Sequence, residues 1–334
     1  MTILQAGVPK SGNYWLYTIL ISINQKAGLE YKSFLRTHPI YKVAQTWDLS
    51  FAGQNDMDFL NIKKNYCEFR ISAVFQEEIA DIDDYINKCS LVWTHSPMNS
   101  YGLEVLSKFN KIVYIIRDPR DVAISYSKYC FTEHKLKNHP PHYEENPESY
   151  LENRLDVMLR NWVNHVGGYL KYQDKLNIYP IFYERFLNDI DSELPRLLDY
   201  LEIELDQNVI NQIKSDVSFD RMKKQSPKHL RKGKSAQWRQ VFTSKQKAKA
   251  ERIAGEMMEL LNYPISESEE SLPSIPLNIS QTQLETAITP AKLNVSENVK
   301  QIYNFITSER TLNAKANLFK DWSTNKIKRV AKGR

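Results

Sequence analysis

The stretch Ile3-Leu-Gln-Ala-Gly-Val-Pro-Lys-Ser-Gly-Asn-Tyr-Trp15 carries residue types and spacings suited to holding an oxyanion. A short apolar run leads into a tight Gly/Pro/Ser loop, and an apolar-rich segment from Trp15 to Ile23 comes next that can be helical. Strand, loop and helix in that order bring unpaired backbone N–H groups and a positive helix end to one point, which suits a phosphate. Gly7 and Gly12 are separated by four residues, as in a P-loop, but Asn13-Tyr14 stands where Lys-Ser/Thr would continue. The lysine lies inside the loop as Lys10, and no hydroxyl follows Gly12 in the place that would hold Mg²⁺. The loop therefore reads as a phosphate cradle that is not built for metal-bound ATP.

Other chemistry-bearing residues recur at the ends of apolar runs. Leu91-Val-Trp-Thr ends on His95, with Pro97 two residues on. Lys111-Ile-Val-Tyr-Ile-Ile runs into Arg117-Asp-Pro-Arg120, where Asp118 is placed to cap a helix and Pro119 to occupy its first turn. A third basic segment is Arg231-Lys232-Gly233-Lys234. Separated cations of this kind suit a ligand with phosphates at two ends. Singly, each has a plainer reading: Lys10–Gly12 as an ordinary turn, His95 as a structural histidine, Arg231–Lys234 as a solvated loop.

The elements that must position these groups alternate. A helix is expected over 15–26, packing through Leu16, Ile19, Leu20 and Ile23, and another over 120–129. Residues 30–90 mix aromatic and polar residues and read as loops and short helices forming a lid. The segment 131–148 reads as a loop, 150–176 as a long helix broken near Gly167-Gly168, and Ile178–Tyr183 as a strand. Helices are expected over 193–201, 209–214 and 244–261, with a flexible loop over 218–236. Alternating strands and helices imply an α/β fold with a central parallel sheet, helices on its faces, and ligands at the strands' C-terminal ends. Residues 1–264 form the expected domain, 265–282 an acidic Pro/Ser-rich linker, and 283–334 a basic helical extension with helices over 296–308 and 312–330.

With 334 residues, 42% hydrophobic and 25% charged, the chain can bury a large core. No 18 apolar residues run together and no secretory leader pattern opens the sequence, so neither a membrane span nor export is expected. Three widely spaced cysteines, Cys67, Cys89 and Cys130, point to a reducing, cytoplasmic setting without a disulfide framework or zinc site. A net charge of +5 is modest and does not point to nucleic acid.

In its joint order of motifs the chain resembles the PAPS-dependent sulfotransferases of the cytosolic type, from Ile3 to about Tyr263. The family's Pro-Lys-Ser-Gly-Thr-Thr-Trp loop reads here as Pro9-Lys-Ser-Gly-Asn-Tyr-Trp15. The resemblance implies that Lys10, Ser11, Gly12, Asn13 and Tyr14 grip the 5′-phosphosulfate of PAPS and that Trp15 lies against adenine. It implies that Arg117 and Ser125, eight residues on, bind the 3′-phosphate, and that His95 is the catalytic base. Tyr183, Ser218, Phe219 and Met222 would contact the adenine side, and Arg231, Lys232 and Gly233 would close over the 3′-phosphate. The donor would be PAPS with no metal, and the acceptor a hydroxyl or amine of a small molecule. Sulfonate transfer, like phosphoryl transfer, rests on positioning and charge, with Lys10 facing the leaving 5′-phosphate.

Departures are specific. Asn13 and Tyr14 replace two threonines, so one hydroxyl contact to the 5′-phosphate is altered, and Trp93 stands where many relatives have a lysine. The dimer motif of animal relatives reads here as Arg239, Thr243-Ser244 and Ala248, which leaves a homodimer open. The alternatives are a P-loop kinase-like phosphotransferase and a non-catalytic nucleotide- or anion-binding module. Against the first, neither the Gly-Lys-Ser/Thr ending nor an acidic metal ligand after a strand is present.

Overall fold

The computed structural model describes residues 1–51, 53–141, 143–225, 233–276 and 278–292. Seven strands form one sheet: β1 (Ile3–Gly7), β2 (Asp58–Ile62), β3 (Cys67–Ile71), β4 (Phe75–Glu78), β5 (Leu91–Thr94), β6 (Lys111–Ile116) and β7 (Ile178–Phe182). Their spatial order is β4-β3-β2-β5-β1-β6-β7. Strands β2, β5, β1, β6 and β7 run parallel, while β3 and β4 add an antiparallel edge.

Parallel strands covered on both faces read as near-continuous apolar runs, and β1 is buried at every position. Alternate residues along the strands feed two cores. Leu4, Ala6, Val92, Ile112 and Tyr114 face one layer of helices, which includes Pro119–Cys130, Pro147–Lys171 and Ser244–Leu260. Ile3, Leu91, Trp93, Val113 and Ile115 face the other, with Asn13–Lys26, Ile190–Leu201 and Gln207–Asp216. Helix starts follow local chemistry: Asp118 accepts from Arg120 N with Pro119 in the first turn, and Thr243 and Gln246 form a capping box.

The sheet is mixed, not wholly parallel, and residues 30–90 are not merely loops and short helices. They supply β2, β3 and β4. In β2 buried Asp58, Leu60 and Ile62 alternate with half-buried Phe59 and Asn61, β3 sets Glu68 and Arg70 among Cys67, Phe69 and Ile71, and β4 is mostly exposed, so none of the three carries a continuous apolar run. The expected loop over 131–148 contains a helix, Glu133–Asn138, and the expected loop after 218 contains Phe219–Gln225. The long helix runs unbroken from Pro147 to Lys171. Its Gly167-Gly168 pair marks close approach rather than a kink, since a Cβ at Gly167 would meet the Ile288 side chain at 2.6 Å and one at Gly168 the Met98 Cβ at 3.0 Å. Residues 265–291 belong to the same compact unit as the chain before them, with Leu284 and Ala287 of helix Gln281–Lys292 buried. The helices expected over 296–308 and 312–330 lie outside the described residues.

Candidate active site

Four parallel strands end at one side of the sheet, and the segments that continue from their C-terminal ends line a cavity of about 370 Å³. After β1 come Lys10, Gly12, Asn13, Tyr14 and Trp15; after β5 comes His95; after β6, Arg117; after β7, Tyr183. This is where an open α/β sheet binds its ligands. Ser125, Phe219, Met222 and Gly233 also line the cavity. Ser11 and Ser218 do not: Ser11 is buried beneath the loop, and Ser218 Oγ donates to the Ser215 carbonyl. Arg231 and Lys232 lie outside the described residues.

The loop itself is fastened from within. Asn13 is the first residue of its helix, where the leading N–H groups have no intrahelical carbonyl to bind. The Asn13 side-chain amide donates to the Val8 carbonyl at 2.8 Å, and the buried Gln5 of β1 donates to the Asn13 carbonyl at 2.7 Å. Asn13 thus ties the loop together. Lys10 holds φ 75° and Gly12 φ 97°, and a Cβ on Gly12 would meet the Tyr183 ring at 2.5 Å. Lys10 Nζ lies 4.3 Å from the centre of the Tyr129 ring.

Arg117 is buried at the end of β6 and ties three segments together. It donates to the carbonyls of Lys10 (3.2 Å) and Lys234 (3.0 Å), sits over the Tyr183 ring at 4.3 Å, and lies 3.6 Å from buried Asp121. Arg117 Nε and Ser11 Oγ are buried without a partner among the described residues. Arg120, grouped with Arg117 by sequence, points elsewhere. It pairs with Asp118 and donates to the Pro264 carbonyl. Trp15 Nε1 donates to the Val217 carbonyl, and its ring meets Tyr183 edge-on.

His95 Nδ1 lies 2.6 Å from the Gly7 carbonyl oxygen. A carbonyl can only accept, so Nδ1 carries the proton and Nε2 keeps its lone pair. Burial pulls the imidazole's pKa down to about 3, with Arg70, His165 and Lys10 pushing the same way and the bond to Gly7 opposing. His95 is therefore a neutral, oriented imidazole at the cavity wall. Among the described residues, no group of three or more His, Cys, Asp and Glu could hold a metal ion.

Several cavity residues escaped the sequence reading: Phe59, Arg70, Tyr126, Tyr129 and Lys135 among them. Arg70 and Phe59 come from the edge strands that sequence patterning missed, and Lys135 from the short helix read as loop.

Residues 2–262 match the family model for the sulfotransferase domain. The chain belongs to the sulfotransferase family. Sulfonate transfer is the chemistry that this membership supports. Among curated proteins the chain is similar to mouse Sulfotransferase 2B1, 24% identical over 283 residues, covering 78% of this chain and 73% of the other. It is likewise similar to rat Sulfotransferase 1 family member D1, 26% identical over 274 residues, covering 77% and 83%. In fold it is similar to a mouse sulfotransferase complexed with PAP (TM-score 0.51, 20% identity, 77% of this chain and 83% of that one). Retinol dehydratase in complex with androsterone and inactive cofactor PAP also shares the fold (TM-score 0.52, 17% identity, 77% and 80%).

Proposed function

We propose that this sulfotransferase moves a sulfonate from PAPS to a hydroxyl or amine of a small-molecule acceptor, with His95 as base and Lys10 at the leaving group. The observation that carries the reading is the bond from His95 Nδ1 to the carbonyl of Gly7, the residue at the root of the anion-binding loop. It fixes base and loop in one frame. The chain's own residues fit a doubly phosphorylated donor: Arg117, which lines the cavity, has a buried Nε that lacks a protein partner among the described residues, beside a loop built on left-handed Lys10 and Gly12.

PAPS, when bound, supplies a sulfonate on its 5′-phosphate, with 3′-phosphoadenosine 5′-phosphate as the leaving group. Lys10, Asn13 and Tyr14 would hold the 5′ end, Arg117 and Ser125 the 3′-phosphate, and Trp15, Tyr183, Phe219 and Met222 the adenine. His95 Nε2 takes the acceptor's proton as the new O–S or N–S bond forms. Lys10 meets the negative charge left on the bridging oxygen as the old S–O bond breaks. Gly233, whose φ is 55° and whose backbone lies against the Phe219 ring, carries the closing segment with Arg231 and Lys232.

Among the described residues no helix is long and apolar enough to cross a membrane. The cytoplasm is the proposed compartment, in keeping with three buried free cysteines. A homodimer stays within the proposal but through other contacts than the animal motif, because Arg239 and Thr243 are engaged within their own chain.

Incubation with sulfur-labelled PAPS and a panel of phenols, alcohols and amines, with mass spectrometry of products, tests the reading. Labelled acceptor and released PAP are expected from the wild type. His95→Ala should lose turnover while still binding PAP. Full turnover in His95→Ala would overturn the assignment of the base.

A further inference from the structure

Beyond the donor groups, the cavity carries two more cations, Arg70 of β3 and Lys135 of helix Glu133–Asn138. Among the described residues no Asp or Glu lines the cavity, and neither cation is ion-paired with a carboxylate. Half-buried arginines and lysines ordinarily gain a carboxylate partner, because neutral acceptors offset only part of the lost hydration. Arg70 has neutral ones only: Nε donates to Asn61 Oδ1 at 3.2 Å and Nη1 to the Ser72 carbonyl at 2.7 Å. Its Nη2 makes no bond among the described residues. The guanidinium carbon lies over the Phe59 ring, 3.4 Å from its centre, and Phe59 in turn meets the His95 ring edge-on at 5.3 Å.

Position separates Arg70 from the donor groups. Lys10 and Arg117 stand on the loops after β1 and β6, whereas Arg70 stands on the antiparallel edge, reached from His95 through Phe59. Lys135 lies 5.2 Å from the ring centre of Tyr129, whose ring also carries Lys10 at 4.3 Å. Burial lowers the pKa of both Arg70, to about 10, and Lys135, and the positive charge of Arg70 adds to the lowering at Lys135, so each is short of a counter-charge.

We propose that Arg70, with Lys135, forms an acceptor subsite for an oxyanion, so that the natural acceptor bears a carboxylate, sulfate or phosphate besides the nucleophile presented to His95. A guanidinium fork backed by an aromatic ring suits two oxygens of one such group. The apolar and aromatic wall between it and the base, Phe59 and Trp93 with Phe51 and Met57, accommodates a flat body joining anion to nucleophile. This inference rests on the reading of His95 as base and PAPS as donor.

The test compares 4-hydroxyphenylacetate with its methyl ester as acceptors for labelled PAPS, and 4-hydroxybenzyl sulfate and phosphate with 4-hydroxybenzyl alcohol to distinguish the anions. At least one anionic acceptor should exceed its neutral counterpart in kcat/KM on the order of 10- to 100-fold, the span of a charged hydrogen bond. In Arg70→Gln that ratio should fall toward one, chiefly through acceptor KM, with donor KM moving less, and Arg70→Lys should restore part of it. Neutral acceptors matching or beating every anionic one in the wild type would overturn the proposal without any variant. An equal loss on both members of each pair in Arg70→Gln would overturn it too, by making Arg70 part of the sulfonate-transfer site. If none of these acceptors turns over, calorimetry on the PAP-loaded enzyme decides. Tighter binding of an anion over its neutral counterpart supports the subsite, and no difference refutes it. Failure to bind PAP would instead remove the donor reading and this inference with it.

Discussion

His165 Nε2 lies 3.2 Å from the carbonyl oxygen of His95, while its Nδ1 lies 2.7 Å from the Tyr114 hydroxyl. The carbonyl fixes the proton on Nε2, so Nδ1 accepts from Tyr114. The buried His165 ring also stacks on Tyr169, whose hydroxyl donates to the Ser96 carbonyl at 3.1 Å. Two residues of the long helix thus hold the carbonyls of His95 and of Ser96, the residue after it. In the proposed mechanism His165 is a positioning residue for His95.

Removing it should loosen the base without touching the donor. His165→Ala leaves the His95 carbonyl and the Tyr114 hydroxyl unpaired and opens a cavity, at a cost of about 2–4 kcal/mol in stability. The kinetic mark that separates positioning from mere destabilisation is a drop in kcat, measured well below the melting temperature, with PAPS KM nearly unchanged. Tyr114→Phe removes only the bond that His165 accepts and should cost less in both.

The depressed pKa of His95 has a kinetic consequence. With its pKa pulled down to about 3 by burial, the imidazole is neutral, and competent as a base, throughout the neutral range. The profile of kcat/KM against pH, which reports the free enzyme, should show no acid limb at the ordinary histidine value of ~6.5 and should fall only well below it. A break near ~6.5 that disappears in His95→Asn would mean that His95 titrates as an exposed histidine.

The anion loop makes a sharper steric prediction. At Gly12 the backbone φ is 97°, and an added Cβ would sit 2.5 Å from the Tyr183 ring. Gly12→Ala combines backbone strain with displacement of the ring that underlies Arg117, a cost on the order of 1–3 kcal/mol. PAP affinity, read by calorimetry, should fall by tenfold or more as Tyr183 and Arg117 shift, a fold-change of about 1.4 kcal/mol. Lys10→Gly is the informative contrast: φ 75° suits glycine, so folding should be unharmed while turnover is lost with the charge.

Much of the framework was legible because it is written in local chemistry. The apolar runs of β1, β5 and β6 are continuous, since they are covered on both faces, and Asp118-Pro119 carries a favoured cap and first-turn proline for a helix start. The sequence also placed Lys10, His95, Arg117 and Tyr183 at strand ends, and strand order then brings them to one cavity. The hidden part depends on pairing across distance. Cys67–Ile71 is a strand because β2 and β4 flank it, and Arg70 reaches the cavity only through that pairing. Gly167-Gly168 reads as a helix breaker until Ile288, about a hundred and twenty residues on, is seen packed against it. Arg120 shares a basic segment with Arg117, and only the fold shows Asp118 and the Pro264 carbonyl already holding it.

Glu184 tests the buried polar chemistry behind the site. It comes directly after Tyr183, is buried, and accepts from Asp118 N–H at 2.9 Å and from the Tyr263 hydroxyl at 3.1 Å. Burial raises its carboxyl to about 7, opposed by the Asp118 N–H bond and reinforced by the Asp118 charge. The folded state therefore holds this proton more tightly than the unfolded chain, whose glutamate titrates near 4.5. The stabilisation this confers is fully present below 4.5 and is lost as pH rises through 7. Burial of His95 and His165 acts in the opposite sense, since their depressed values cost stability as pH falls below ~6.5. Glu184→Gln keeps an acceptor for Asp118 N–H and turns an amide donor to the Tyr263 hydroxyl, which can accept it. Its stability relative to the wild type should therefore improve steadily between pH 4.5 and 7, by up to about 3 kcal/mol, and level off above. Urea melts of both proteins at pH 4.5, 6 and 8 read this directly. A pH-independent difference would mean that Glu184 is ionised in the folded protein, and Asp118 would then share its buried corner with a second full negative charge.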